Sequence, residues 1–174
     1  MTVKETADQT EVNRWLDEAR IVRVVNRFYR ALDEKHFDSS YLGEILAADA
    51  QVIRPNGAAT EGLASIADSF ARSFTRFEAT QHLLTGHDVD VDGDTAAVRA
   101  NLVAIHIWKD RPVEASMLDR SFTAGGIVTA ALRRFREGWR ISKAEMRVMW
   151  RTGFYGDMLQ TGKSETVSLA HPTS

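Results

Sequence analysis

Two pairs of long apolar–polar alternations in the second half of the chain constrain the fold most. Leu83–Val91 and Thr95–Trp108 flank Asp92-Gly93-Asp94, while Gly126–Arg136 and Trp139–Trp150 flank Glu137-Gly138. Alternation at period two lays one side of each segment on a core, and a short acidic-glycine step between two such segments is a hairpin signal. Lys109-Asp110-Arg111-Pro112 breaks the second segment, and Glu114–Thr123 is open between a loop and a further strand entering the sheet. Strands of this length bend, and a bent sheet covered by helices encloses a pocket.

The first half supplies the helices. Leu16, Ala19, Val22, Val25, Phe28, Tyr29 and Leu32 recur at steps of three and four, predicting an amphipathic helix over about Glu11–Glu34. That phase leaves Arg14, Asp17, Arg23, Arg27 and Arg30 for solvent, and residues 1–10 read as a loose arm. Asp38 or Ser39 caps a second helix running to about Ala47, Gln51–Arg54 has strand character, and Pro55-Asn56-Gly57 is a turn. Gly62–Phe77 returns to helical spacing, and residues 157–174 form a polar tail. Helices first and long antiparallel strands afterwards define an α+β domain over 11–156, with N-terminal helices packed on a strongly curved, mostly antiparallel sheet.

A length of 174 residues suits one domain. Twenty-two Lys plus Arg against 24 Asp plus Glu leave a net charge of -2, which argues against a nucleic-acid partner. Cysteine is absent, which removes disulfides, thiolate nucleophiles and zinc–thiolate sites. No apolar run reaches the ~18 residues of a bilayer span, and Met1–Val12 has no apolar stretch of the signal-peptide kind. The expectation is a cytoplasmic protein with no membrane partner.

Few motifs carry chemistry. Asp88-Val-Asp-Val-Asp92-Gly93 superficially fits a calcium loop, but its twelfth position is Arg99 and its flanks are strands, so the acids read as solvent-facing. No Walker loop, nucleophile elbow or dinucleotide fingerprint occurs, and no cofactor is expected. Gly125-Gly126 reads as a bulge or loop before a strand. His36 and His171 read as exposed. His82, His87 and His106 fall on strands, and His106 shares a face with Ala100, Leu102 and Ala104, which suits either a core histidine or a catalyst. Asp33 closes the apolar stripe of the first helix, where the helix dipole disfavours a carboxylate. A histidine partner would explain it, because a carboxylate on one imidazole nitrogen fixes the tautomer and raises the basicity of the other. The four tryptophans, with Met146, Met149 and Met158, suit either ordinary core or the wall of an apolar pocket.

Several segments resemble the SnoaL-like family of the cone-shaped nuclear-transport-factor-like superfamily. They are Phe28–Asp38, Thr80-Gln-His82 with Gly86, Val91–Ala96, Glu137–Ile141 and Trp150–Gly153, together covering about Glu11–Tyr155. The motifs are nearest to scytalone dehydratase and lindane dehydrochlorinase, whose Asp–His pair acts as the base of an elimination. By that resemblance the pair is Asp33 and His82, and a second dehydratase histidine corresponds to His106. The dehydratase's carbonyl-binding residues are not retained: its tyrosines correspond to Leu32 and a position near Pro55, and its asparagine to Ala131. Tyr29, Tyr41, Arg99, Asn101 and Trp108 are the candidate replacement donors.

The resemblance implies a cone with an internal pocket and a cofactor-independent lyase, a dehydratase or a related cyclase or isomerase. Its substrate would be a small apolar or aromatic carbonyl compound. Asp33, His82 and His106 are the catalytic candidates, and Tyr29, Trp108, Met146 and Trp150 the substrate-binding ones. Two other readings stay open: a non-catalytic ligand-binding or structural member of the fold, and an isomerase in which Asp33 itself is the base. A homo-oligomer, dimer or trimer, is expected through the exposed sheet face, where Arg99, Asn101, Val103, Ile105 and Ile107 form a second, partly apolar side.

Overall fold

The structure, a computed structural model, describes residues 3–112 and 114–156. The first helix, α1, runs Val3–Glu34, so most of the segment expected as an arm is helical. Once a helix is nucleated by its packed half, adding residues such as Lys4, Glu5, Ala7 and Gln9 costs little. Its buried stripe is Asp17, Ile21, Val25, Phe28, Tyr29 and Leu32, rotated from the predicted phase at the N-terminal end: Leu16 is exposed and Asp17 is not. The cause is tertiary. Asp17 accepts hydrogen bonds from Arg134 Nη1 and Nη2 at 3.0 and 2.7 Å and from Trp139 Nε1 at 3.1 Å.

The short α2 (Ser39–Gly43) is capped by Asp38, whose carboxylate accepts from the Tyr41 amide at 2.8 Å. It stops before the predicted Ala47 because Leu46 already belongs to strand β1 (Leu46–Ile53). The Pro55-Asn56-Gly57 turn returns the chain through β2 (Ala59–Glu61) to α3 (Leu63–Phe74). Then follow β3 (Phe77–Asp92), β4 (Thr95–Trp108), the one-turn α4 (Met117–Arg120), β5 (Ser121–Phe135) and β6 (Gly138–Gly153). The open question over Glu114–Thr123 resolves into α4 and the start of β5.

The sheet order is β2-β1-β6-β5-β4-β3, antiparallel except between β1 and β6. Its register shifts within Thr85–Asp88 of β3 and between Gly125 and Gly126 of β5, and such bulges bend the sheet. At Gly126 only glycine fits, since a Cβ there would stand 2.2 Å from the Arg147 carbonyl oxygen. The sheet therefore curls into an open cone, and α1 and α3 help to fill its concave side. The core comprises Ile21, Val25, Phe28, Leu46, Ile66, Phe70, Leu102, Leu132 and Ile141, with Ala100 and Ala104 on the inner face of β4. Asp88, Asp90 and Asp92 are exposed between half-buried Val89 and Val91. The predicted polar tail, 157–174, with Met158 and His171, lies outside the described residues.

Candidate active site

Strand β3 is an edge, so its outward amide and carbonyl groups need partners. The C-terminal turn of α1 supplies them. Lys35 adopts a left-handed conformation (φ 56°) and the His36 amide returns to the Ala31 carbonyl at 2.9 Å, ending the helix in a Schellman-type turn. From that turn Lys35 Nζ donates to the Phe77 carbonyl at 2.7 Å. One residue inside the turn, Asp33 Oδ2 accepts the His82 amide at 2.9 Å. The same carboxylate meets the His82 ring: Nδ1 lies 2.6 Å from Oδ1, which also accepts from Thr80 Oγ1 at 2.9 Å. Burial raises the Asp33 pKa, but the His82 ring bond, its charge, the His82 amide and Thr80 outweigh it and leave the carboxyl lowered. An ionised Asp33 accepts only, so the neutral form of the His82 ring carries its proton on Nδ1 and a lone pair on Nε2.

His82 forms part of the wall of a cavity of about 440 Å³ between α1, α3 and the inner sheet face. Phe28, Leu32, Val52, Phe70, Phe74, Phe122 and Met146 make most of the wall apolar. His106 lies opposite Thr80 across the β3–β4 ladder, and its ring is 5.5 Å from that of His82, nearly perpendicular. It stacks on Phe122 at 4.3 Å, and its Nδ1 is buried without a hydrogen-bond partner. Burial, then the charge of His82, pushes His106 down to about 3, so at neutral pH it is an uncharged imidazole with one N–H to donate. Tyr29 stands 5.5 Å from His82, ring to ring, and burial pushes its hydroxyl up, so it stays a neutral donor.

Asp33, His82, His106, Tyr29 and Met146 therefore come together at or beside one cavity. Trp108 and Trp150 do not join them. Trp108 is locked in a satellite cluster with Phe77 and Phe122 and spends its indole N–H on the Phe154 carbonyl at 2.8 Å. Trp150 is exposed on the outer sheet face, its indole lying over Gly125. None of the four tryptophans lines the cavity: Trp15 is exposed, and Trp139 serves Asp17. Met149 is exposed too. Ala131, Arg99 and Asn101 face outward, and Tyr41 packs against His36, which leaves Tyr29 as the one suggested replacement donor in the cavity wall.

Sequence reasoning missed the polar part of the cavity wall, where Arg54, Asn56, Arg76, Glu145, Arg151 and Tyr155 enter from the turn after β1, the α3–β3 junction, β6 and the segment just after it. No periodicity marks a residue that becomes a wall only through the curl of the sheet. His87 meets Asn26 at 3.1 Å, away from the other two strand histidines. Among the described residues no group of three or more His, Asp or Glu side chains is placed to hold a metal, and no helix is long and apolar enough to cross a membrane.

A curled sheet filled by helices, with an acid–histidine pair at an apolar cavity, defines the class of cone-shaped α+β domains. The chain belongs to the SnoaL-like domain family, whose sequence pattern matches residues 13–145. Its fold is similar to that of a candidate scytalone dehydratase from Novosphingobium aromaticivorans, with a TM-score of 0.69 and 21% identity over 84% of this chain and 92% of the other. It is equally similar to the hexachlorocyclohexane dehydrochlorinase LinA-type3 of Novosphingobium barchaimii (TM-score 0.69, 18% identity, covering 84% and 95%). The Kfla4162 protein of Kribbella flavida is a third structural neighbour (TM-score 0.70, 22% identity, 79% and 94%). At these identities the likeness speaks for the nuclear-transport-factor-like fold alone. No curated protein matches the sequence.

Proposed function

We propose that the protein is a cofactor-independent lyase, a dehydratase or a related cyclase or isomerase, acting on a small, largely apolar or aromatic carbonyl compound. The observation that carries this reading is the 2.6 Å contact between Asp33 and His82 Nδ1, which leaves Nε2 as the base beside a 440 Å³ cavity. Nε2 removes a proton from carbon next to the carbonyl. The electron pair of that C–H bond forms the new C=C bond as the C–O bond to the departing hydroxyl breaks. The hydroxyl takes up the proton held by His82, so that the products are an unsaturated carbonyl compound and water. His106, being neutral, is suited to donating its N–H to the developing oxyanion or the departing oxygen rather than to delivering a proton. Dehydratase and dehydrochlorinase neighbours of the same fold support an elimination. Three hydrogen bonds tie Asp33 to β3, and it is not among the cavity-lining residues, which favours His82 over Asp33 as the base.

The test is α-proton exchange in D2O across a panel of aryl and alicyclic carbonyl compounds, followed by turnover of those that exchange. Asp33→Asn is expected to slow both by about 100- to 10,000-fold with the fold retained. Unchanged exchange in that variant, or a mild effect of His82→Ala beside a severe one of Asp33→Ala, removes the dyad. A second reading, a ligand-binding member without chemistry, draws on the absence of counterparts to the dehydratase's tyrosines at Leu32 and Pro55. It predicts saturable binding with no turnover, equally tight in His82→Ala.

A further inference from the structure

The strand-end segment Ile53-Arg54-Pro55-Asn56 enters the cavity wall from the side of an exposed turn, which makes it part of the entrance. The wall carries three guanidinium groups, of Arg54, Arg76 and Arg151, against a single carboxylate, Glu145. That excess is local, since the whole chain is slightly acidic at -2. Arg54 is the unusual one. It is half-buried, the like charges of Arg72 and Arg76 act on it, and no described carboxylate pairs with it. Several other arginines meet an acid: Arg27 meets Glu44 at 2.7 Å, Arg134 meets Asp17 at 2.7 Å, and Arg133 meets Asp49. A partly desolvated guanidinium flanked by two more is a cost to the fold that an incoming anion would offset. Its planar fork matches the two oxygens of a carboxylate better than any neutral group.

We infer that Arg54 is the anchor for a carboxylate on the substrate, so that the ligand class is a compact apolar or aromatic acid whose anionic end sits at the cavity entrance and whose apolar body lies along Phe70, Phe74 and Met146. The inference rests on the proposed use of this cavity for a small substrate, and narrows it. Binding energy gathered at the entrance orients the reacting carbon toward His82 without touching it. The remaining arginines focus the field and favour anions over isosteric neutral compounds.

Calorimetric titration of the intact protein with 2-naphthoate and with 2-naphthamide, its neutral counterpart, tests this directly. Wild type is expected to bind the carboxylate at least about tenfold more tightly than the amide, the margin of a charge-assisted hydrogen bond. Arg54→Met is expected to bring the two within about twofold, and Arg54→Lys to keep part of the margin. Should Arg54→Met fail to fold, Arg54→Gln carries the same expectation. An amide bound as tightly as the carboxylate by wild type overturns the inference, as do a preference that survives loss of Arg54 and binding of neither probe. Asp33→Asn separates the two proposals. If the anion preference depends on Arg54 but no substrate shows Asp33-dependent exchange, the anchor stands and the lyase falls. Asp33-dependent exchange with no preference for anions gives the reverse.

Discussion

Burial against Phe74, Phe77 and Phe122 is what sets the chemistry of His106. An imidazole held down to about 3 in the folded protein and near 6.5 in the unfolded chain stays neutral in the one state while it takes a proton in the other. The contribution to stability is complete above about pH 6.5 and is lost as pH falls toward 3, because over that interval the unfolded chain binds more protons. His106→Gln is therefore expected to flatten the rise of the urea midpoint between pH 4 and pH 6.5. An unchanged slope would mean that the ring is hydrated. Asp17 behaves in the opposite chemical sense. The Arg134 guanidinium, with help from Trp139 and Arg20 and against the cost of burial, holds its carboxyl down to about 2. Its share of stability is present above the usual carboxylate range and is lost as pH falls from about 4 to about 2. Asp17→Asn is expected to cost about 1–3 kcal/mol at pH 7 in chemical denaturation, since the amide keeps one acceptor oxygen but loses the charge and the second oxygen that Arg134 uses.

Which side of an element is buried is a property of its neighbours, and α1 illustrates the limit of reading it alone. Steps of three and four located the helix and its final turns, Phe28 to Leu32, but Leu16 and Asp17 exchanged roles because Arg134 and Trp139 arrive from far along the chain. Strands were more legible. Asp92-Gly93-Asp94 and Glu137-Gly138 pinned the two hairpins, and β4 spans Thr95–Trp108 as expected. The two glycines of β5 separate a backbone constraint from a side-chain one. The nearest atoms to a Cβ at Gly125 belong to the Trp150 indole, an exposed side chain that can swing away, whereas a Cβ at Gly126 meets the Arg147 carbonyl. Gly126→Ala should therefore lower the melting temperature clearly more than Gly125→Ala, with about 1–3 kcal/mol lost. Equal effects would show that the bulge relaxes.

At the scale of the molecule, the cone brings an acid from the end of α1 to a histidine on the far edge strand; Asp33 was anomalous alone, and the family resemblance supplied His82 as its partner. Arg54 was not legible: its position matters only once the sheet has curled. The outer face of the same sheet carries Leu83, Val103 and Trp150 in one register line across β3, β4, β5 and β6. Leu83 and Trp150 are exposed there, an arrangement suited to a homo-oligomeric contact. Sedimentation equilibrium is expected to give a dimer or trimer that Trp150→Asp weakens, and a monomeric wild type would contradict this. The central claim concerns one proton. Long-range 15N–1H correlation spectra of the histidine rings, recorded where His82 is neutral, decide it most directly. The account predicts a proton on Nδ1, facing Asp33, and an unprotonated Nε2 facing the cavity. A neutral His82 protonated on Nε2 would contradict it and leave the cavity without its base.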